Sequence, residues 1–384
     1  MRILHVITSL NPPLGGTVEC AKQIAQALQS LNCAVDIVCL DQPDEAWLRD
    51  FSTKVFALGR PAIPIFYSPS LRLWQWLNQN CESYDAVVVH GLWQFQTLAS
   101  GFILRRKKIP YLVYTHGMLM KRAVYNTPIK AFKKLVYWYL VERTVLNNAA
   151  AILMTSTLER EWSTHALFKV KTEMVVIGNG IQTQRDFLDD QAIFVEKTST
   201  PSLLVLGRLH PVKGIDLLLE AISSLGESAP HLLVAGSGDP PAYEAEMQKY
   251  ARKLGLSNKV TFLGHVAGTE KLSLLKSVWA VVSTSHHENF GFSIAEALSV
   301  GTPVLLTRNV ATYVQVVDGN AGVVFNHTVK DCANAIQSFI EAPVHMRAKY
   351  GANAHICFEK NFRIIAPARK LLETVQRLLK GKKG

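Results

Sequence analysis

His286-His287-Glu288-Asn289-Phe290-Gly291-Phe292-Ser293-Ile294-Ala295-Glu296 is the stretch on which the reading of this chain turns. Two carboxylates stand eight positions apart across a Phe-Gly turn. The apolar run before it, 279–283, predicts a buried strand, and 293–300 predicts the start of a helix. Glu288 then falls in a strand-to-helix loop and Glu296 about one turn into the helix. Open α/β sheets bind ligands in loops at the carboxyl ends of their strands. A helix N-terminus also offers unpaired backbone N–H groups to anions. A carboxylate on each side suits a ligand with both hydroxyls and phosphates. A purely structural reading stands beside this one. Ser293-Ile294-Ala295-Glu296 has the Ser-x-x-Glu form of a capping box, and Glu288 alone can be a solvated loop acid.

The same strand–turn–helix grammar runs outward in both directions. Upstream, an apolar strand at 3–7 leads through Asn11-Pro12-Pro13-Leu14-Gly15-Gly16 into a helical pattern that Thr17 can cap. This opens a Rossmann-like unit without the G-x-G-x-x-G fingerprint. Two adjacent glycines let a ligand approach the backbone. Strands follow at 35–40, 86–89, 111–114, 151–154 and 174–177, with helices at 71–77, 95–104 and 129–146 between them. Several strands end in punctuation: His90-Gly91, Thr115-His116-Gly117 and Gly178-Asn179-Gly180. A polar segment without a period, 186–200, reads as a linker. A second series then begins, with strands at 203–206, 231–235, 259–263, 279–283, 303–306 and 322–325. Its helices lie at 214–225, 243–254, 269–276, 329–340 and 345–358, and an amphipathic segment at 362–379 closes the chain.

Short apolar strands alternating with helices imply parallel sheets covered on both faces. The expected fold is α/β: two Rossmann-like, doubly wound parallel-sheet domains facing a central cleft. Their expected bounds are 1–185 and 201–361, with a C-terminal helix at 362–384 crossing back to the first domain.

Composition narrows the function classes. The chain has 384 residues, 48% hydrophobic and 18% charged, which is ordinary for two globular domains. No apolar run reaches the ~20 residues that span a bilayer, and 1–8 reads as a strand and not as a leader. Six cysteines (20, 33, 39, 81, 332 and 357) form no CxxC pair, so they read as reduced, buried thiols of a cytoplasmic protein. A formal net charge of +11 asks for an anionic partner. Between 101 and 145 there are ten basic residues and one acid. Nucleic acid is set aside as that partner, because no helix-turn-helix, zinc knuckle or RNP aromatics accompany the charge.

Gly207-Arg208-Leu209-His210-Pro211-Val212-Lys213-Gly214 is the second informative motif. Arg208 offers a planar fork and Lys213 a point charge, which together can neutralise a diphosphate. Lys213 just before a helix opposes the helix dipole, which points to a bound anion there; either cation can equally pair with a surface acid. His116, directly after a buried strand, is the first domain's candidate for contact with a reacting centre, and His90 has the same placement.

Taken together, Gly15-Gly16, Asn179-Gly180-Ile181, Gly207-Arg208…Lys213-Gly214, Gly236-Ser237-Gly238, Phe262-Leu263-Gly264, Glu288-x7-Glu296 and Gly301-Thr302-Pro303-Val304 resemble the retaining glycosyltransferases of family 4, of GT-B fold. The resemblance covers essentially the whole chain. It implies transfer of a sugar from a nucleotide-diphosphate sugar, UDP- or GDP-linked, to an acceptor hydroxyl on a glycan or a lipid-linked molecule. It implies no cofactor and no metal. Arg208 and Lys213 would hold the diphosphate beside Gly207 and Gly238. Glu296 would take the ribose hydroxyls. Glu288, with Asn289, Phe290 and Gly291, would hold the donor sugar. Gly15 and Gly16 would admit the diphosphate, His116 would flank the transferred sugar, and His265-Val266 would meet the base.

Independently of the resemblance, departure of a nucleoside diphosphate builds negative charge that fixed cations stabilise. Among the carboxylates none is clearly placed as a double-displacement nucleophile, so a same-face departure and attack is the preferred route. A sugar-nucleotide epimerase of the same architecture is the alternative. Lys121-Arg122-Ala123-Val124-Tyr125 and 129–140 mix cations with aromatics. Such a segment can rest on an anionic membrane surface at the cytoplasmic face, or turn its Phe, Leu and Trp to the core and solvate its lysines.

Overall fold

The computed structural model describes residues 1–59, 69–120, 128–164, 168–182 and 200–381. The chain forms two units, Met1–Gly180 with Ile364–Gly384, and Ile181–Arg363. The linker expected at 186–200 lies outside the described residues except for Thr200, and so does Lys121-Arg122-Ala123-Val124-Tyr125.

In unit 1, β1 (Arg2–Val6), β2 (Ala34–Cys39), β3 (Lys54–Ala57), β4 (Ala86–His90), β5 (Tyr111–Tyr114), β6 (Ala151–Met154) and β7 (Met174–Val176) form one parallel sheet. The spatial order is β3-β2-β1-β4-β5-β6-β7. The strand order therefore reverses between β1 and β4, which pair with Val6 opposite Val89. β4 and β5 are wholly buried, as strands covered on both faces must be. The edge strand β3 escapes sequence reading because its side chains are half-exposed and form no apolar run.

Unit 2 repeats the plan with β8 (Ser202–Leu206), β9 (His231–Ala235), β10 (Val260–Gly264), β11 (Ala280–Ser283), β12 (Val304–Thr307) and β13 (Gly322–Phe325). The order is β10-β9-β8-β11-β12-β13, all parallel, with the reversal between β8 and β11. Leu203, Leu218, Leu232 and Ile336 anchor the core on one side of this sheet, and Leu204, Val281, Ile294 and Phe358 the core on the other.

Local expectations need four corrections. Thr17 does not cap the first helix, which runs Gly16–Ser30 with Gly15 as its N-cap. Ser293 does not cap the helix Phe292–Ser299 either. Gly291, at φ 76°, takes the N-cap position, so Ser293 sits inside the first turn and the capping box is absent. The helix expected at 129–146 is broken into Pro128–Tyr137, a π turn Trp138–Glu142, and Arg143–Asn148. The last helix starts at Ile365, while Phe362 stays in unit 2, buried with its ring centroid 5.8 Å from that of Phe290. The helix Ile365–Lys380 packs on Gly16–Ser30 through a face that buries Ala368, Leu371 and Val375.

Candidate functional site

Unit 2 concentrates charge at its topological reversal. β8 and β11 are neighbours whose connections leave in opposite directions, the kind of switch point at which open α/β sheets bind ligands. The loop after β8 carries Arg208 to Gly214, and the loop after β11 carries Thr284 to Gly291. The two are fastened together. The Thr284 hydroxyl donates to the Gly214 carbonyl at 2.8 Å, and the His286 amide donates to the Val212 carbonyl at 2.8 Å. Gly214 has φ 62°, and a Cβ there would stand 2.4 Å from the Thr284 carbonyl oxygen. Only glycine permits this approach.

The approach sets Lys213 on Glu288, and the ammonium donates to Glu288 Oε2. Burial alone would raise the Glu288 carboxyl. Lys213, with smaller help from His287 and the Gly291 amide, outweighs that and holds it below the ordinary carboxylate value. The backbone of Glu288 is pinned from the other side as well: its amide donates to Asn309 at 3.1 Å and its carbonyl accepts from Ala311 at 2.8 Å. Asn289 Oδ1 lies 2.9 Å from His287 Nε2, and Phe290 is buried against Phe292.

Arg208 lies on the same loop as Lys213 but turns to Asp239, 2.7 Å away in the loop after β9. Glu296, one turn into Phe292–Ser299, binds Lys271 of the helix Gly268–Ser277 at 2.7 Å. His265 is exposed and Val266 buried just beyond the edge strand β10. Gly207 and Gly238 line the same carboxyl edge, where Leu209 pairs with Gly238. The structure thus joins Lys213 to Glu288 directly, and gives Arg208 and Glu296 separate partners. Asp239 and Lys271 escaped sequence reading. The run Gly236-Ser237-Gly238-Asp239 after a strand was a usable signal for the first. A lysine on a helix face gives none.

Unit 1 places Gly15 and Gly16 after β1 and His90 at the end of β4, at its own reversal. Gly15 has φ 78° and caps Gly16–Ser30, which places the start of that helix at the strand ends. His116, half-buried with φ 49°, follows β5. A single buried carboxylate, Glu159, fixes that loop. It accepts from the Thr115 hydroxyl at 2.8 Å, the Gly117 amide at 2.6 Å and the Thr155 amide at 2.7 Å. His116 is not alone: His90 Nδ1 lies 3.0 Å from His116 Nε2, and His5 Nδ1 lies 2.8 Å from His90 Nε2. Burial holds His5 and His116 down at about 3 and His90 well below the usual imidazole value, so the three rings are neutral at pH 7.

The next loop has a second buried carboxylate, which sequence reading also missed. Glu142, in the π turn, accepts the Trp93 amide at 2.5 Å. Trp93 has φ 66°, rare for a bulky residue. Burial pushes the Glu142 carboxyl up to about 8, against the lowering effect of that amide. Beside it, Pro128–Tyr137 presents Ile129 and Phe132 to the surface, 71% and 67% exposed, with Tyr139 and Leu140 continuing the patch. Trp138 is buried. The alternative in which the Phe, Leu and Trp of this segment face the core holds for Trp138 and fails for Phe132, Leu135 and Leu140. No helix among the described residues is long and apolar enough to cross a membrane.

Comparison with known proteins gives these arrangements a context. Residues 186–356 match the family described as glycosyl transferases group 1, and residues 15–180 match the glycosyl transferase 4-like domain. The D-inositol 3-phosphate glycosyltransferase 2 of Catenulispora acidiphila is 34% identical over 161 residues, which is 40% of this chain. The match spans only 38% of that relative's length. A GDP-mannose:cellobiosyl-diphosphopolyprenol alpha-mannosyltransferase from Xanthomonas campestris is 24% identical over 346 residues, covering 88% of this chain and 87% of the relative. Among solved structures, Anabaena HepE in complex with UDP and glucose superimposes with a TM-score of 0.77 at 20% identity, over 98% of this chain and 100% of that one. The two parallel-sheet units are those of the GT-B architecture.

Proposed function

Since this chain belongs to the group 1 glycosyltransferases with a 4-like N-terminal domain, we propose that it transfers a sugar, with retention, from a nucleotide-diphosphate sugar to a glycan or lipid-linked acceptor. The observation that carries this is the Lys213–Glu288 pair with Arg208 beside it, on the two loops that flank the reversal of the unit 2 sheet. An arginine and a lysine there meet the charge that builds on a departing diphosphate, so the reading asks for no metal ion. Each cation is paired with a carboxylate, Arg208 with Asp239 and Lys213 with Glu288. A donor diphosphate replaces those partners. Glu288, released from Lys213, turns to the sugar hydroxyls, and Glu296 turns from Lys271 to the ribose.

With Gly207, Gly238, Asn289, Phe290 and Gly291 lining the edge and His265-Val266 at the base, unit 2 supplies the donor site. Gly15, Gly16 and His116 are the contribution of unit 1. Retention follows in this reading from departure and attack on one face of the sugar, the departing phosphate oxygen taking the acceptor's proton. A GDP- or UDP-sugar is the expected donor. For the acceptor, Ile129, Phe132, Tyr139 and Leu140 beside exposed Lys133 suit an anionic membrane surface at the cytoplasmic face, where a lipid-linked acceptor resides.

The test is a thermal-shift series with UDP-, GDP- and ADP-sugars on the native protein and on Arg208→Ala. One donor is expected to raise the native melting temperature by several degrees, and Arg208→Ala to lose most of that rise. No response to any donor, or isomerisation of the sugar without acceptor, would overturn the reading.

A further inference from the structure

The three histidines of unit 1 form a single hydrogen-bonded line from the centre of the sheet to its carboxyl edge. His5 is the last residue but one of β1 and is fully buried, His90 ends β4 and is 1% exposed, and His116 follows β5. The rings are nearly parallel, 26° and 16° between successive planes, and Tyr114 stacks on His116 at 4.6 Å and 6°. At the outer end, His116 Nδ1 has no hydrogen bond among the described residues. At the inner end, His5 Nε2 is buried and also has no partner there.

A neutral imidazole carries one N–H and one lone pair. Two such rings sharing a hydrogen bond must therefore present unlike nitrogens to each other. Three rings in line have only two consistent states, all Nδ1–H or all Nε2–H. The choice is made in the core. The all-Nε2–H state leaves a buried N–H on His5 with no acceptor, whereas the all-Nδ1–H state leaves a bare lone pair. Orphan buried donors are the rarer of the two in folded proteins.

The geometry points to His5 and His90 as positioning residues that lock the tautomer of His116, so that it shows the unit 1 site a neutral Nδ1–H donor. The line ends in apolar core and so conducts no net proton. It fixes hydrogen-bond polarity, and a site built on it offers a sugar hydroxyl or ring oxygen a donor and not a base. This inference rests on the reading that places His116 at the substrate, but its structural part is measurable without substrate.

The experiment is long-range ¹H–¹⁵N correlation on the full chain labelled with ¹⁵N-histidine at pH 7, with His116→Asn used to assign the His116 signals. Protonated and bare ring nitrogens are well separated in such spectra. The expected result is Nδ1–H on His116, with its Nε2 bare. In His5→Phe the core end of the line is lost, and the Nε2–H form of His116 should rise to roughly half of the population, with kcat falling about twofold. Nε2–H on His116 in the native protein overturns the proposal, and that measurement stands even if His5→Phe does not fold. An unchanged His116 tautomer in folded His5→Phe also overturns it. A changed tautomer with unchanged kcat upholds the lock and overturns instead the placing of His116 at the substrate.

Discussion

Two buried carboxylates of unit 1 do opposite things to a backbone, and one of them sets a pH dependence. Glu159 satisfies a loop with several donors. Glu142 has one donor, the Trp93 amide, while its Oε2 is buried without a partner among the described residues. A carboxyl whose folded value is raised from 4.5 to about 8 binds a proton in the native state that the unfolded chain has released. The Glu142 contribution to stability then falls as pH rises from about 4.5 to about 8, by up to roughly 1.4 kcal/mol per pH unit. Glu142→Gln keeps an acceptor for Trp93 and removes the titration. His5, His90 and His116, held low by burial, add stability as pH rises toward 6.5, so the Glu142 part is read as a difference: in thermal melts at pH 5, 6.5 and 8 the native protein should lose stability relative to Glu142→Gln. Equal slopes would mean that another group carries the dependence. None of this was legible in the sequence, where Glu142 counts only as the lone acid in a basic stretch. Burial of one residue depends on packing partners far away in the chain.

At the scale of elements the sequence was far more readable. β5 and β6 fall where their apolar runs place them, because strands buried on both faces leave an uninterrupted signal, and β9 and β13 do so although they are only partly buried. Helix starts were misread wherever a serine or threonine looked like a cap and a glycine took the position instead, as at Gly15 and Gly291. The loops lie at strand ends where the Gly-punctuated runs place them, but how they are tied was not readable. The crossing of the loops after β8 and β11 at Gly214 is the clearest case. Gly214→Ala forces a Cβ into the Thr284 carbonyl at a φ that suits only glycine. It should cost about 1–3 kcal/mol in urea unfolding and weaken donor binding more than a surface Gly→Ala such as Gly226→Ala. Equal donor affinities would show that the tie does not position Lys213. The helix Pro128–Tyr137 makes a second prediction. Native protein should float with liposomes containing anionic lipid at low salt. The double variant Phe132→Ser, Leu140→Ser should float several-fold less. No flotation of the native protein would remove the membrane from the proposal.

At the scale of the molecule, two units of similar plan differ in how the chain enters them. The family and the GT-B fold were legible, since seven short motifs keep their order over the whole length. The exact point of return was not, because Phe362 and Ile365 belong to one helical-looking run yet serve different units. The helix Ile365–Lys380 is part of the hydrophobic face of unit 1. Leu371→Ala, at a fully buried position, should therefore lower the melting transition of unit 1 by about 2–4 kcal/mol and leave that of unit 2 in place. A nucleotide-sugar should do the reverse, stabilising unit 2 by mass action. Calorimetry with and without donor separates the two. A shift of both transitions by Leu371→Ala would contradict the division.

That return also has a meaning in time. A chain made from its N-terminus begins unit 1 first but completes it last, since residues 364–380 follow all of unit 2. On the ribosome, unit 2 has every strand it needs while the face of Gly16–Ser30 that receives the last helix is still uncovered. The nascent unit 1 keeps that apolar seam open until the last helix has been made.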